Sequence, residues 1–226
     1  MQQTMILVGN GPSVFNQELG QYINKFDIVI RFNNFQIKGY EKYIGTKTDI
    51  LFRRACDDVI WHPKEWFKLI VCAMTYCKWT PWMSTVVKYV LGVYGDICKV
   101  LPPDVTKVTG EKLGLNQPMK EWCSQGILAI DYFVHQFSSD FSLENSGQNG
   151  DLTLTNNVYY GIIVSEPIVI HGFDHLVPSQ SGQILHYFPT KPKDHQYHRG
   201  DLEKQFTDNL INKGKICRLE EYIKNI

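Results

Sequence analysis

The sequence offers no charge imbalance: 23 Lys and Arg stand against 23 Asp and Glu. Without a basic excess there is no long-range pull toward nucleic acid or an anionic bilayer, so neither is an expected partner. Any anionic ligand must be held by local groups. Long apolar runs are missing too: none approaches the roughly 18 residues that mark a membrane-crossing helix, and residues 1–4 have neither the charged nor the apolar part of a signal peptide. The expectation is a soluble cytoplasmic chain of bacterial or viral origin, with no integral membrane segment. Cysteine is sparse and unpaired in spacing: Cys56, Cys72, Cys77, Cys98, Cys123 and Cys217 form no CxxC. That disfavours a zinc knuckle or a dense disulfide framework and points to reduced thiols.

Familiar nucleotide signatures are absent as well. No Gly-Lys-Ser or Gly-Lys-Thr triplet follows the glycines near the start, so there is no P-loop, and the GxGxxG dinucleotide fingerprint is missing. No DxD triplet exists to hold a divalent cation against a nucleotide sugar; Asp57 and Asp58 are adjacent. A metal-independent mechanism would need protein cations or hydroxyls instead, and no cofactor is expected.

What is present is a chain of 226 residues, 43% hydrophobic, enough for one domain over 1–226 with a buried core. Residues 5–8 are continuously apolar, as in a central strand covered on both faces, and a glycine turn over 9–13 precedes helical spacing over 14–24. Apolar segments at 27–31, around "KTDILFRRA", at 68–74 and in "EPIVIHGFD" suggest further strands, and 124–137 reads as a helix. Strand and helix in alternation imply an α/β fold, a doubly wound, Rossmann-like domain whose ligands collect at the carboxyl ends of strands. Residues 102–118, with prolines and glycines, suggest a surface excursion, and 138–155 a flexible loop. The end of the chain suggests a helix, a stop at Gly214, a strand at 216–219 and a last helical turn.

The turn Gly9-Asn10-Gly11-Pro12-Ser13 admits two readings. Glycines let a ligand approach the main chain, and a following helix N-terminus suits a phosphate, with Asn10 and Ser13 adding side-chain hydrogen bonds. Alternatively the glycines make a tight turn and Ser13 caps a helix.

At "VGNGPSV…FDIVIRFNNF…GYEKYIGTKTDI" the chain resembles the large motif of the eukaryotic sialyltransferases (glycosyltransferase family 29), while "GNGPS" itself is closer to the bacterial sialyltransferases of glycosyltransferase family 42. "WCSQGILAIDYFVHQF…PIVIHGFD" is similar to the small motif, "HYF" at 186–188 to the third motif, and His198 with Glu203 to the very small motif. The resemblance implies a GT-A variant fold with a mostly parallel sheet flanked by helices. It also implies inverting, metal-independent transfer of sialic acid from CMP-sialic acid to a galactose-type glycan acceptor. By the same resemblance Asn10, Ser13 and Asn33 contact the donor, with Gly9 and Gly11 shaping the turn. Ser124, Gln125 and Gly126 lie against CMP, and Gly172 and Asp174 sit at the ribose or cytidine end. Gln125 stands where relatives commonly have Ser or Thr, and Leu176 near the tyrosine position of the bacterial enzymes.

The chemistry asks for two groups. An acceptor hydroxyl needs a base as its bond to the anomeric carbon forms, and imidazole titrates in the useful range; His198 is the candidate. Departing CMP gathers negative charge, for which His186 and Tyr187 are the candidates. His171 and His175 orient a loop or act directly, and Glu203 either serves the site or is a solvated helix residue. Trp61, Trp66, Trp79, Trp82 and Trp122 either stack on sugars or pack the core. Competing functions are the same scaffold on another nucleotide sugar, and an inactive module that binds glycan or nucleotide.

Overall fold

Short apolar segments become strands because each is covered on both faces. In the computed structural model, which describes residues 3–54, 61–73, 81–101, 103–115, 121–136, 165–175, 186–188 and 198–226, these strands form one sheet. They are β1 (Met5–Val8), β2 (Ile28–Phe32), β3 (Ile50–Arg54), β4 (Leu69–Ala73), β5 (Cys98–Val100), β6 (Ile168–His171) and β7 (Ile216–Arg218). Their order is β5-β4-β3-β2-β1-β6-β7, and every pairing is parallel. The helices are α1 (Gly20–Ile23), α2 (Glu41–Ile44), α3 (Pro81–Tyr94), α4 (Pro103–Lys112), α5 (Gln125–Gln136), α6 (Gly200–Asn212) and α7 (Leu219–Lys224).

Successive strand residues point to opposite faces, and the core divides accordingly. Met5, Leu7, Ile28, Ile30, Phe32, Ile50 and Phe52 pack with Ile127, Leu128, Ile130 and Phe133 of α5. On the other face Leu51, Ile70 and Cys72 meet Val86, Val87 and Val90 of α3, while Ile6, Val8 and Val29 meet Ile23, Ile44 and Leu219. Two arginines interrupt the apolar runs and are fully buried. Arg31 donates to the carbonyls of Ile44 at 2.7 Å and Lys47 at 3.0 Å and to Thr48 Oγ1 at 2.9 Å, which holds the segment after α2 against β2. Burial drops its pKa to about 10. The Arg53 guanidinium lies 4.5 Å from the centre of the Trp61 ring.

Two expectations are corrected, and one strand was missed. The helix expected over 14–24 is split into a 3-10 turn, Pro12–Asn16, and the short α1, with Gln17 extended between them. The break lets Phe15 reach the rings of Tyr40 and Tyr43, at 6.0 and 5.1 Å, and lets Gly20 lie against the backbone of α2, where a Cβ would collide with Glu41 O. The excursion expected over 102–118 contains α4, which starts at a proline, the position where a helix tolerates one. β5 was not anticipated, because Lys99 interrupts a three-residue strand. The loop expected at 138–155, Leu176 and Trp79 lie outside the described residues. Trp61 and Trp66 keep 37% and 47% of their surface exposed and are not core residues.

Candidate active site

The chain runs outward from β1 to β5, then returns to place β6 on β1's other side. The loops leaving β1 and β6 therefore diverge at a topological switch point, where open α/β sheets form their ligand crevice. Here the two loops are stitched together. Gly9 N donates to His171 O at 2.7 Å, Gly11 N to Gly172 O at 2.9 Å, and Ser13 N to Asp174 Oδ2 at 2.8 Å.

This stitching explains the glycines differently from the sequence reading. A Cβ on Gly9 would strike Gly172 O, and one on Gly11 would strike the Asp174 carboxylate. Gly172, at φ +70°, would bring a Cβ to 2.6 Å from Val14. The missing side chains make room for the neighbouring loop, and the Ser13 N–H, at the helix start that would suit a phosphate, already meets a carboxylate. The five-residue 3-10 turn behind it is no substitute for a long helix terminus.

Asn10 and Asn33 are also partly engaged. Asn10 Nδ2 donates to Phe32 O at 3.2 Å, while its Oδ1 is buried with no hydrogen-bond partner among the described residues. Asn33 takes φ +45°, a conformation asparagine tolerates better than most residues, and its Oδ1 accepts from Arg54 N at 2.9 Å.

The start of α5 forms the second wall. Ser124 Oγ accepts from Ile127 N at 3.2 Å, an N-cap bond. Its own N–H and hydroxyl both donate to Glu203, at 2.7 and 2.8 Å. Gly126 lets the Phe173 ring approach the helix, since a Cβ there would sit 2.7 Å from it, and Phe173 meets Phe32 edge-on at 5.7 Å. Gln125, between these two, is 6% exposed with neither side-chain atom hydrogen-bonded among the described residues.

Glu203 is 2% exposed, so it is no solvated helix residue. Burial pushes its carboxyl up to about 7, with the Ser124 bonds opposing. His198 lies beside it: Nδ1 is 3.1 Å from Trp122 O and 3.9 Å from Glu203 Oε1. A carbonyl only accepts, so Nδ1 carries the proton and the neutral ring has its lone pair on Nε2, the tautomer a general base needs.

The 186–188 segment joins the crevice through its backbone, Tyr187 N donating to Asn10 O at 2.9 Å. The Tyr187 phenol points elsewhere. It donates to Gln36 O at 2.8 Å and accepts from Gln36 N at 3.2 Å, and burial pushes its pKa up to about 12. Its one donor is spent on a main-chain carbonyl, so the phenol, expected to meet the leaving phosphate, here braces the loop after β2. His186 is partly buried beside Phe188, ring centres 5.4 Å apart. His171 Nδ1 pairs with Glu220 Oε1 at 3.2 Å. His175, at φ +54°, is driven down to about 4 by burial, with Arg218 adding to the effect, and stays neutral. Sequence reasoning missed Phe173, the Trp122 carbonyl and the burial of Glu203; only the His-to-Glu spacing signalled the last.

Residues 3–62 match the model of Glycosyltransferase family 29 (sialyltransferase). A CMP-N-acetylneuraminate-beta-1,4-galactoside alpha-2,3-sialyltransferase of Homo sapiens is 25% identical over 232 residues, covering 96% of this chain and 57% of that protein. A CMP-N-acetylneuraminate-beta-galactosamide-alpha-2,3-sialyltransferase 4 of Rattus norvegicus is 51% identical over 45 residues, 20% of this chain and 14% of its own length. The chain thus spans little more than half the length of the relative it matches end to end. Among solved structures, a mammalian sialyltransferase superposes with a TM-score of 0.63 at 18% identity, covering 96% of this chain and 69% of that one. The same fold was solved in complex with Gal-beta-1-3GalNAc-ortho-nitrophenol.

Proposed function

We propose, for a chain that resembles the sialyltransferases in sequence and shares their fold, that it transfers sialic acid from CMP-sialic acid to a hydroxyl of a galactose-type glycan, with inversion and without a metal. The carrying observation is His198, whose tautomer is set by the Trp122 carbonyl next to the wall built from Ser124 and Glu203. His198 Nε2 takes the acceptor hydroxyl's proton as that oxygen bonds to the anomeric carbon. The carbon–oxygen bond to CMP breaks, and its electron pair leaves on the phosphate. Attack opposite the leaving group inverts the centre. The imidazolium formed has the Glu203 carboxyl 3.9 Å away, a favourable neighbour once that group ionises.

Support for the donor and acceptor comes from the family match, from the galactoside in the human relative's name, and from the galactose-containing ligand of the solved structure. Support for metal independence is the absence of a DxD triplet from the sequence. No cofactor beyond the donor substrate is proposed. The test is CMP release from CMP-sialic acid with chelator present, with and without lactose, for wild type and His198→Ala. Release that survives chelation and falls about 10²- to 10⁴-fold in the variant is expected for loss of a general base. Release abolished by chelator refutes metal independence, and a variant as active as wild type refutes the base. The anomeric configuration of the product, read by NMR, checks inversion.

A further inference from the structure

Asn33 follows β2 in the left-handed region, at φ +45°, which few residues other than glycine occupy. Such a conformation persists where its surroundings over-determine it, and here three of the residue's four polar groups are tied down. Its N–H donates to Phe52 O at 3.1 Å, and its Oδ1 accepts from Arg54 N at 2.9 Å. Its carbonyl accepts a hydrogen bond from the ring of His62. Nδ2 is the one polar group of Asn33 without a hydrogen-bond partner among the described residues. A residue held this firmly presents that amino group in one place.

His62 is itself held from several sides. Its ring stacks on Phe35, with centres 4.2 Å apart, and meets Trp66 at 5.8 Å and Phe67 edge-on at 6.2 Å. Its main-chain carbonyl accepts from the Tyr94 hydroxyl of α3 at 3.3 Å. Phe35 lies two residues after Asn33, so the imidazole clamps the turn after β2 with both its face and its N–H. Nε2 is buried with no hydrogen-bond partner among the described residues, so the bond to Asn33 runs through Nδ1. A carbonyl only accepts, which puts the proton on Nδ1. Burial, with the Arg53 charge adding to it, holds the imidazole below its ordinary range, so the ring is neutral near pH 7. We propose that His62 is a positioning residue whose Nδ1–H locks the Asn33 main chain and so aims the Asn33 amino group at an oxygen of the bound nucleotide. The inference rests on the nucleotide-sugar reading above, with Asn33 as a donor contact.

The test is calorimetric titration of the full chain with CMP for wild type, His62→Phe, His62→Asn, Asn33→Gly and the double variant of Asn33→Gly with His62→Phe. Phenylalanine keeps a ring on Phe35 and removes the N–H; asparagine gives up the ring and can place its Nδ2 where Nδ1 stands. CMP affinity is expected to fall about 10-fold in His62→Phe and to stay within about threefold of wild type in His62→Asn, as for the loss and rescue of one hydrogen bond. Glycine accepts the positive φ and removes the amino group, so Asn33→Gly should also lose about 10-fold. Adding His62→Phe to it should cost nothing more, because a residue that acts through Asn33 then has nothing left to aim. Wild-type affinity in His62→Phe overturns the proposal. An equal loss in His62→Phe and His62→Asn overturns it too, by assigning the effect to ring packing, and so does a further loss in the double variant. Each of these leaves the nucleotide-sugar reading intact. Wild type that does not bind CMP overturns that reading, and the proposal with it.

Discussion

Glu203→Gln tests whether the buried carboxyl between α6 and α5 is neutral at moderate pH. Glu203 is 2% exposed and faces two Ser124 donors, and its pKa rises from 4.5 to about 7. The native state therefore holds its proton more tightly than the unfolded chain does. The stability this contributes is complete below pH 4.5 and is lost as pH rises through about 7. At about 1.4 kcal/mol per unit, the full loss is about 3 kcal/mol. Glutamine has the shape of the protonated acid and never ionises. The variant should thus match wild type near pH 4.5 and exceed it by about 3 kcal/mol at pH 8. Urea denaturation of both proteins across that range gives the difference directly, and other titrating groups cancel in it. A difference that stays flat with pH would refute the claim of a neutral buried acid.

His175→Gln should show the opposite slope. The imidazole is held down to about 4 from 6.5, so its stability contribution is complete above 6.5 and disappears as pH falls through about 4. The wild-type advantage should shrink by about 3 kcal/mol over that interval in the same urea measurement, and an advantage that grows on acidification would reverse the assignment. Tyr187→Phe removes both bonds to Gln36 and should cost about 1–3 kcal/mol of stability while changing kcat less than about threefold, a free-energy change under 1 kcal/mol. A fall of about 100-fold in kcat with unchanged stability would return the phenol to the leaving group.

The strands were legible because a parallel sheet covered on both sides needs unbroken apolar segments, and "MILV", "IVIRF" and "IVIH" have that form apart from Arg31 and the terminal His171. The C-terminal helix, Gly214 stop, strand and last helix were legible too, each from its own local signal. β5 was not, since three residues with a lysine in the middle carry too little pattern. The break between Asn16 and Gly20 was hidden because apolar spacing does not record that Phe15 belongs with Tyr40 and Tyr43.

His198 was singled out only through the resemblance of its motif to the sialyltransferases, whereas residue type and order along the chain were enough to establish an α/β domain with polar, glycine-bearing turns at the carboxyl ends of its strands. These properties depend on local conformational preference and on the periodicity of burial, both written along the chain. The chemical state of each candidate came only from long-range packing. Asp174 is 161 residues from the Ser13 amide it occupies, Trp122 is 76 from the histidine whose tautomer it sets, and Glu203 is 79 from the serine that holds it. Hydrogen bonds and desolvation act over a few ångströms in space, and only folding brings those partners together and removes water from between them.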